Sequence, residues 1–365
     1  MIECPHCHES SATEAQFCEH CGACLHGCPS VQPGVIQGAG ANSAHAAAGP
    51  CLHCGAGPTE IDEEGFCKGC GLRRNGMSRA HDEILVDAQL GGITDQGLRH
   101  TRNEDAIALA TVAANGTRTA IAVVCDGVSS SHDANQAATL AAAAARESLL
   151  QAAIDGRPDE DAMKDAIRRA HLAICDHLCD SNELKDPPGT TIAALMAGPD
   201  RAVVGWVGDS RVYLFSPGDS RQLTHDHSWI TETVDSGDMT EEQALRSPLA
   251  HAITRCLGPL DEDDPGESPE PGIVSIDLPH PCRLLVCSDG FWNDVPGASE
   301  IEELMKTAPE GADLLAACRR LVDHALQCGG RDNISVIIAD FVAGSGPIAA
   351  NVSGLPKREE FSNGV

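Results

Sequence analysis

Ala120-Ile121-Ala122-Val123-Val124-Cys125-Asp126-Gly127 decides how this chain is read. An apolar run of this length reads as a buried strand, yet it stops on a carboxylate. A charge at the mouth of a buried strand is costly unless something compensates it. The arrangement recurs: Ala202-Val203-Val204-Gly205-Trp206-Val207 leads into Gly208-Asp209-Ser210-Arg211, and Leu284-Leu285-Val286-Cys287 into Ser288-Asp289-Gly290. Arg102-Asn103-Glu104-Asp105 and Asp332-Asn333 are two further acidic motifs. Buried strands that each end in an acid bring like charges together, and the repulsion is tolerable only with a cation between them. Hard divalent ions prefer oxygen ligands, so magnesium or manganese is the natural reading. Any one of these motifs alone reads as a turn; the weight lies in all of them together.

Outward from these runs, residues 106–113 and 119–125 read as strands around a turn at Asn115-Gly116. Residues 133–154 are Ala-rich and read as a helix with Asp133 as N-cap, and 159–179 as a second, amphipathic helix. Residues 190–196, 202–207 and 212–215 return to strands. The acidic, Pro-rich stretch 259–272 reads as an exposed loop. Strands over 273–278 and 283–287, a helix over 312–327 and a strand over 334–341 complete an α+β pattern. His171, Cys175 and Cys179 recur at helical spacing, which reads as a packed helix face rather than a metal site.

With 365 residues the chain can bury a sizeable core and hold more than one domain. Its formal net charge of −29 argues against nucleic acid or an anionic membrane as partner, since both bind through basic patches. There is no apolar run of eighteen residues to span a membrane. The first thirty residues are polar and rich in Cys and His, unlike a signal peptide, so a cytoplasmic protein is expected.

The order and wording of the acidic motifs resemble the PPM-type (type 2C) metal-dependent serine/threonine protein phosphatases. The resemblance runs from about Gln89 to Phe341 and includes Thr94-Asp95-Gln96-Gly97, Gly189-Thr190-Thr191, Leu223-Thr224-His225-Asp226-His227-Ser228 and Thr254-Arg255-Cys256-Leu257-Gly258. It implies two stacked, mainly antiparallel sheets flanked by helices, an α/β/β/α sandwich, over residues 83–342. It also implies a site with two Mg2+ or Mn2+ ions and a weaker third. Asp126 would bridge two ions and the Gly127 carbonyl would complete the second. Asp289 and Asp332 would hold the first ion, while Glu104 would act through bound water with Asp105 in support. Asp209 would join Asp289 at the third position. Paired cations lower the pKa of a bridging water, so the implied reaction is attack of a metal-bridging hydroxide on phosphoserine or phosphothreonine in proteins. The implied setting is reversal of a serine/threonine kinase.

Two departures stand out. Where family members carry a phosphate-clamping arginine, this chain has His100, with Arg99 and Arg102 beside it; a histidine lacks the bidentate fork, and any of the three could capture phosphate. Where animal and plant members have a histidine after the Asp-Gly pair, this chain has Val128, so water would protonate the leaving group; His132 reads as a helix-entry residue. Residues 225–255 correspond to the flap near the active site, where Asp226, His227 and Trp229 would shape access.

Of the eighteen cysteines, ten precede residue 71. Cys4-x2-Cys7 with Cys18-x2-Cys21, and Cys51-x2-Cys54 with Cys67-x2-Cys70, read as two zinc ribbons over 1–28 and 51–74. Each would fold around one structural Zn2+. A flexible linker is expected over 29–50 and a disordered tail over 343–365. Cys18, Cys21, Cys24 and Cys28-Pro29 also match an iron–sulfur spacing, but the doubled knuckle explains more residues. The leading expectation is a phosphatase with docking ribbons. Its rivals are a catalytically weak, phosphoprotein-sensing scaffold on the same fold and a nucleic-acid-binding ribbon protein, which the acidic charge disfavours.

Overall fold

The computed structural model describes residues 2–3, 10–11, 34–35, 80–114, 117–131, 133–178, 187–259, 268–306 and 314–341. The chain divides into two compact units, residues 1–33 and 34–365. In the first, β1 (Ile2–Glu3) pairs antiparallel with β2 (Ser10–Ser11). The eight cysteines assigned to zinc, together with His132, Cys179 and the 343–365 tail, lie outside the described residues.

The second unit is built on two sheets. One has the order β11 (Asp219–Gln222), β10 (Arg211–Ser216), β13 (Cys282–Cys287), β14 (Ile334–Phe341), β5 (Leu90–Asp95), β4 (His81–Asp87). The other runs β12 (Gly272–Asp277), β9 (Arg201–Val207), β8 (Ile192–Ala197), β7 (Thr117–Asp126), β6 (Asp105–Ala114), β3 (Gly34–Val35). Neighbouring strands pair antiparallel throughout. The expected linker therefore contributes a short strand, with Gly34 opposite Leu109 and Val35 opposite Ala108.

Both faces of each sheet are covered, which is why the strands read as unbroken apolar runs instead of alternating ones. In β7, Ala120, Ala122 and Val124 join Leu195, Val204, Leu214, Leu284 and Ile337 in the core between the sheets. Leu195 and Leu214 are fully buried there, and truncating either to Ala would cost about 2–5 kcal/mol. On the outer face of the first sheet, Tyr213, Leu285, Val336 and Ile338 pack against α5 (Asp289–Trp292), α6 (Ala298–Lys306) and α7 (Leu314–Gln327). The second sheet is covered by α1 (Ala134–Ile154) and α2 (Glu160–Leu178). Ala137, Ala138, Ala141 and Ala145 of α1 are fully buried, and side chains this small let the helix lie close on β6 and β7.

Several local expectations need correction. Asp133 adopts a left-handed conformation with φ 51 and makes no side-chain capping bond, so it does not cap α1 as an N-cap acceptor would. The helices α3 (Trp229–Asp235) and α4 (Glu241–Ala244) lie in the flap segment, and β4, β5, β11, α5 and α6 were not legible from periodicity. His171 is fully buried, with Nδ1 accepting from the Gly258 N–H at 3.3 Å and Nε2 3.6 Å from the Cys175 thiol, in keeping with a packed face. Among the described residues, no helix is long and apolar enough to cross a membrane.

Candidate active site

Strand register gathers the acids at one end of the sandwich. Asp105 opens β6 opposite Asp126 at the end of β7, and Arg211 opens β10 opposite Cys287 at the end of β13. Asp209 lies in the β9–β10 turn, Asp289 opens α5 directly after β13, and Asp332 precedes β14. The carboxyls are close enough to govern one another. Burial, then Asp105, Asp289, Asp209 and Asp332, push Asp126 well above the ordinary carboxylate range. Burial, then Asp289 and Asp226, push Asp209 well up as well. Burial and Asp332 raise Asp289 to about 6, and burial, with Asp332 and Asp289, raises Asp105 to about 7.

A polar scaffold fixes these groups. The Thr190 hydroxyl and the Thr191 N–H both donate to the Asp126 carbonyl at 2.8 Å, and the Asp126 N–H donates to Thr191 Oγ1 at 3.2 Å. Behind Gly127, an added Cβ would stand 2.8 Å from both the Ala134 and Glu104 carbonyls, so no larger residue fits this turn. Ser288 Oγ donates to Asp105 Oδ2 at 2.8 Å and accepts from the Ser335 N–H at 3.0 Å. Asn333 Oδ1 accepts from the Glu104 N–H at 2.7 Å, while Nδ2 donates to the Gln96 and Arg102 carbonyls. Asn333 thus stitches the loop bearing Glu104 to the start of β14. Ser288 and Asn333 sit inside the quoted motifs and Ser335 lies just past the second, but only their contacts reveal what they do.

The three candidate phosphate ligands are placed differently. Arg102 Nε donates to Glu104 Oε1 at 2.7 Å, and His100 Nε2 lies 3.2 Å from Asp332 Oδ1, so both reach the acids. Arg99 is exposed. Val128 is held by its N–H to the Gly189 carbonyl at 2.9 Å. In the flap segment, His227 Nδ1 accepts from the Gly208 N–H at 3.2 Å and the ring stacks on Trp206. Burial and Arg255 hold its pKa down to about 4, so the ring stays neutral and keeps its acceptor at neutral pH.

Among the described residues no three His, Cys, Asp or Glu side chains already close into a tight ligand cage. The fit to divalent cations rests on other observations. Asp105 Oδ1 is buried with no hydrogen-bond partner among the described residues, and burial with neighbouring carboxyls raises the pKa of Asp126, Asp209, Asp289 and Asp105. Such a group is relieved by positive charge. Magnesium-type ions keep several water ligands, so they require few direct protein oxygens each. The donor set fits.

The family model described as Protein phosphatase 2C matches residues 98–326. The serine/threonine protein phosphatase PstP of Mycobacterium tuberculosis is 30% identical over 252 residues, 68% of this chain and 44% of the relative. The serine/threonine phosphatase stp of Listeria innocua is 35% identical over 160 residues, 42% of this chain and 56% of the relative. The chain thus spans about half the length of the curated relatives it matches. Among solved structures, the catalytic domain of PstP in complex with two manganese ions superposes with a TM-score of 0.54 at 27% identity, covering 72% of this chain and 98% of that one. By sequence motif, sheet architecture and family match, the chain belongs to the protein phosphatase 2C family, the PPM-type serine/threonine phosphatases.

Proposed function

We propose that this protein is a metal-dependent phosphatase that hydrolyses phosphoserine and phosphothreonine in proteins. The observation that carries the reading is the cluster of carboxyls at one end of a type 2C sandwich, raised in pKa by burial and neighbouring acids, with an Asp105 oxygen left without a hydrogen-bond partner among the described residues. Asp126 and the Gly127 carbonyl, with Asp289, Asp332 and, for a third weaker position, Asp209, would hold Mg2+ or Mn2+, and Glu104 would act through water. Bound there, the ions would supply a nucleophilic water at neutral pH and neutralise charge on the transferring phosphoryl group.

The chain's own residues do the rest. Thr190 and Thr191 lock the Asp126 backbone, and Ser288 fixes Asp105. Asn333 sets Glu104, whose carboxylate in turn holds Arg102 at the mouth. Of the three candidate phosphate donors, His100 and Arg102 are the two in contact with the acids. With Val128 after Gly127, the leaving oxygen takes its proton from solvent. We read residues 1–28 and 51–74 as two structural zinc ribbons that dock protein partners, and the physiological counterpart as a serine/threonine kinase.

Manganese-dependent hydrolysis of p-nitrophenyl phosphate and of a phosphothreonine peptide tests the reading. Bound manganese without hydrolysis of either would sink it in favour of a phosphoprotein sensor. Elemental analysis should give two zinc per chain; brown protein containing iron would overturn the ribbon assignment.

A further inference from the structure

Asp209 lies in the β9–β10 turn and Asp289 on α5, so something must hold that turn against α5. The indole of Trp292, three residues after Asp289 on α5, donates from Nε1 to the Asp209 backbone carbonyl at 2.9 Å. The opposite partner of that ring is Arg211, whose guanidinium carbon lies 3.4 Å from the ring centroid. Arg211 is itself fixed on every edge: Nε and Nη2 donate to Asp226 Oδ2 at 3.0 and 2.6 Å, and Nη1 donates to the Tyr213 hydroxyl at 3.1 Å. Gln222 Nε2 donates to the other Asp226 oxygen at 3.1 Å. Arg211 and Asp226 are mostly buried, their side chains 13% and 7% exposed.

The direction of Arg211 is the informative part. Arg211 stands only two residues from Asp209 and its charge eases that carboxyl, but its donors do not go to the clustered acids. Instead Asp226 takes the donor fork, and the flat face of the guanidinium rests on Trp292. A planar, fully paired guanidinium makes a rigid support that lysine cannot reproduce. The clustered acids thus receive no hydrogen bond from this arginine, which braces an indole N–H aimed at the Asp209 carbonyl.

We propose that Trp292 and Arg211 are positioning residues: the indole, braced by the guanidinium, ties the Asp209 backbone to α5 and sets the Asp209–Asp289 pair for a divalent cation. The inference rests on the reading of these acids as cation ligands. Neither residue touches the reacting atoms. Their effect passes through Asp209, as outer-shell partners act through the ligands they orient.

The test is a calorimetric Mn2+ titration of the full chain, with melting in EDTA measured in parallel. Asp209→Asn first identifies the binding phase to which Asp209 contributes. Trp292→Phe keeps a ring beneath Arg211 but removes the N–H. It should melt in EDTA as the parent does and weaken that phase by about 10- to 100-fold, leaving the other phase in place. Arg211→Lys keeps the charge and the indole but loses the stacking face, and should weaken the same phase by less. Unchanged Mn2+ binding in Trp292→Phe overturns this inference alone. So does weakening of all phases together with a lowered melting temperature in Trp292→Phe and Arg211→Lys alike, because the pair would then be general scaffold. A parent chain that binds no Mn2+ overturns both this inference and the phosphatase reading.

Discussion

The two ends of the sandwich carry similar carboxylates in opposite company. At one end Arg283 Nε and Nη2 donate to the two Asp340 oxygens at 2.6 and 2.7 Å, and Arg118 Nη2 donates to Asp87 at 2.9 and 3.0 Å. At the other, Asp105, Asp126, Asp209 and Asp289 have no bond to an arginine or lysine among the described residues, and burial with neighbouring acids pushes the pKa of each upward. The same strands run through both ends: β7 begins beside Arg118 and finishes on Asp126, and β13 and β14 carry Arg283 and Asp340 at one end and lead into Asp289 and out of Asp332 at the other. One end is electrostatically closed and behaves as scaffold. The other is left open, which is affordable only if positive charge arrives from outside.

The largest expected consequence concerns the open end. Asp126→Ala removes the carboxylate on which four other acids act, and turnover of a phosphothreonine peptide at saturating Mn2+ should fall on the order of 10³-fold or more, the scale of losing a principal electrostatic stabiliser. Initial rates check this; a variant within tenfold of the parent would show that the cluster is not the reaction centre.

A sharper contrast comes from making one substitution at each end and measuring denaturant stability in EDTA. Asp340→Asn leaves the Arg283 fork half-paired in a partly buried site and should cost about 1–3 kcal/mol. Asp126→Asn removes a charge that its neighbours repel, so it should stabilise the metal-free protein. The same chemical change then has opposite signs at the two ends. Destabilisation at both would mean that the clustered acids are not in conflict.

The pH dependence follows from the raised carboxyls. Asp289 titrates near 6 and Asp105 near 7 in the fold, against an ordinary value of 3.8. Between those limits the folded chain binds more protons than the unfolded one, so stability falls as pH rises. The contribution is intact below about pH 4 and is lost by about pH 7. If cations bind these acids as proposed, they take the place of those protons, and Mn2+ should raise the melting temperature of the parent much more at about pH 7.5 than at about pH 5. Equal increments at both values would place the ions away from these groups.

The same contrast explains what the sequence could and could not reveal. Strands β7, β9, β13 and β14 were legible because both faces are covered and each reads as an apolar block, and their terminal acids marked the open end. Strand β4 was missed because His81, Asp82, Glu83 and Asp87 interrupt its apolar pattern; its mixed faces are only partly buried. The α5 turn hid inside Ser-Asp-Gly, which local chemistry reads as a loop. Pairings such as Ser288 with Asp105, or Asn333 with Glu104, join residues about two hundred positions apart and leave no local trace. The N-cap reading of Asp133 failed because the chain enters α1 through a left-handed residue, which takes its side chain away from the capping geometry that an extended N-cap provides.

The smallest predicted effect tests the edge of the open end. His100 stands beside Asp332, where family resemblance would place a phosphate-clamping arginine. A neutral imidazole offers one donor to a phosphate, whereas guanidinium offers two in a fixed fork with permanent charge. If His100 serves the incoming phosphate, His100→Arg should lower KM for a phosphothreonine peptide several-fold, on the scale of one strengthened charged hydrogen bond, with kcat changed less. If instead its work is to hold Asp332, the arginine should leave KM alone and alter the Mn2+ requirement. The split between KM and metal dependence therefore decides whether this histidine belongs to the substrate or to the acids.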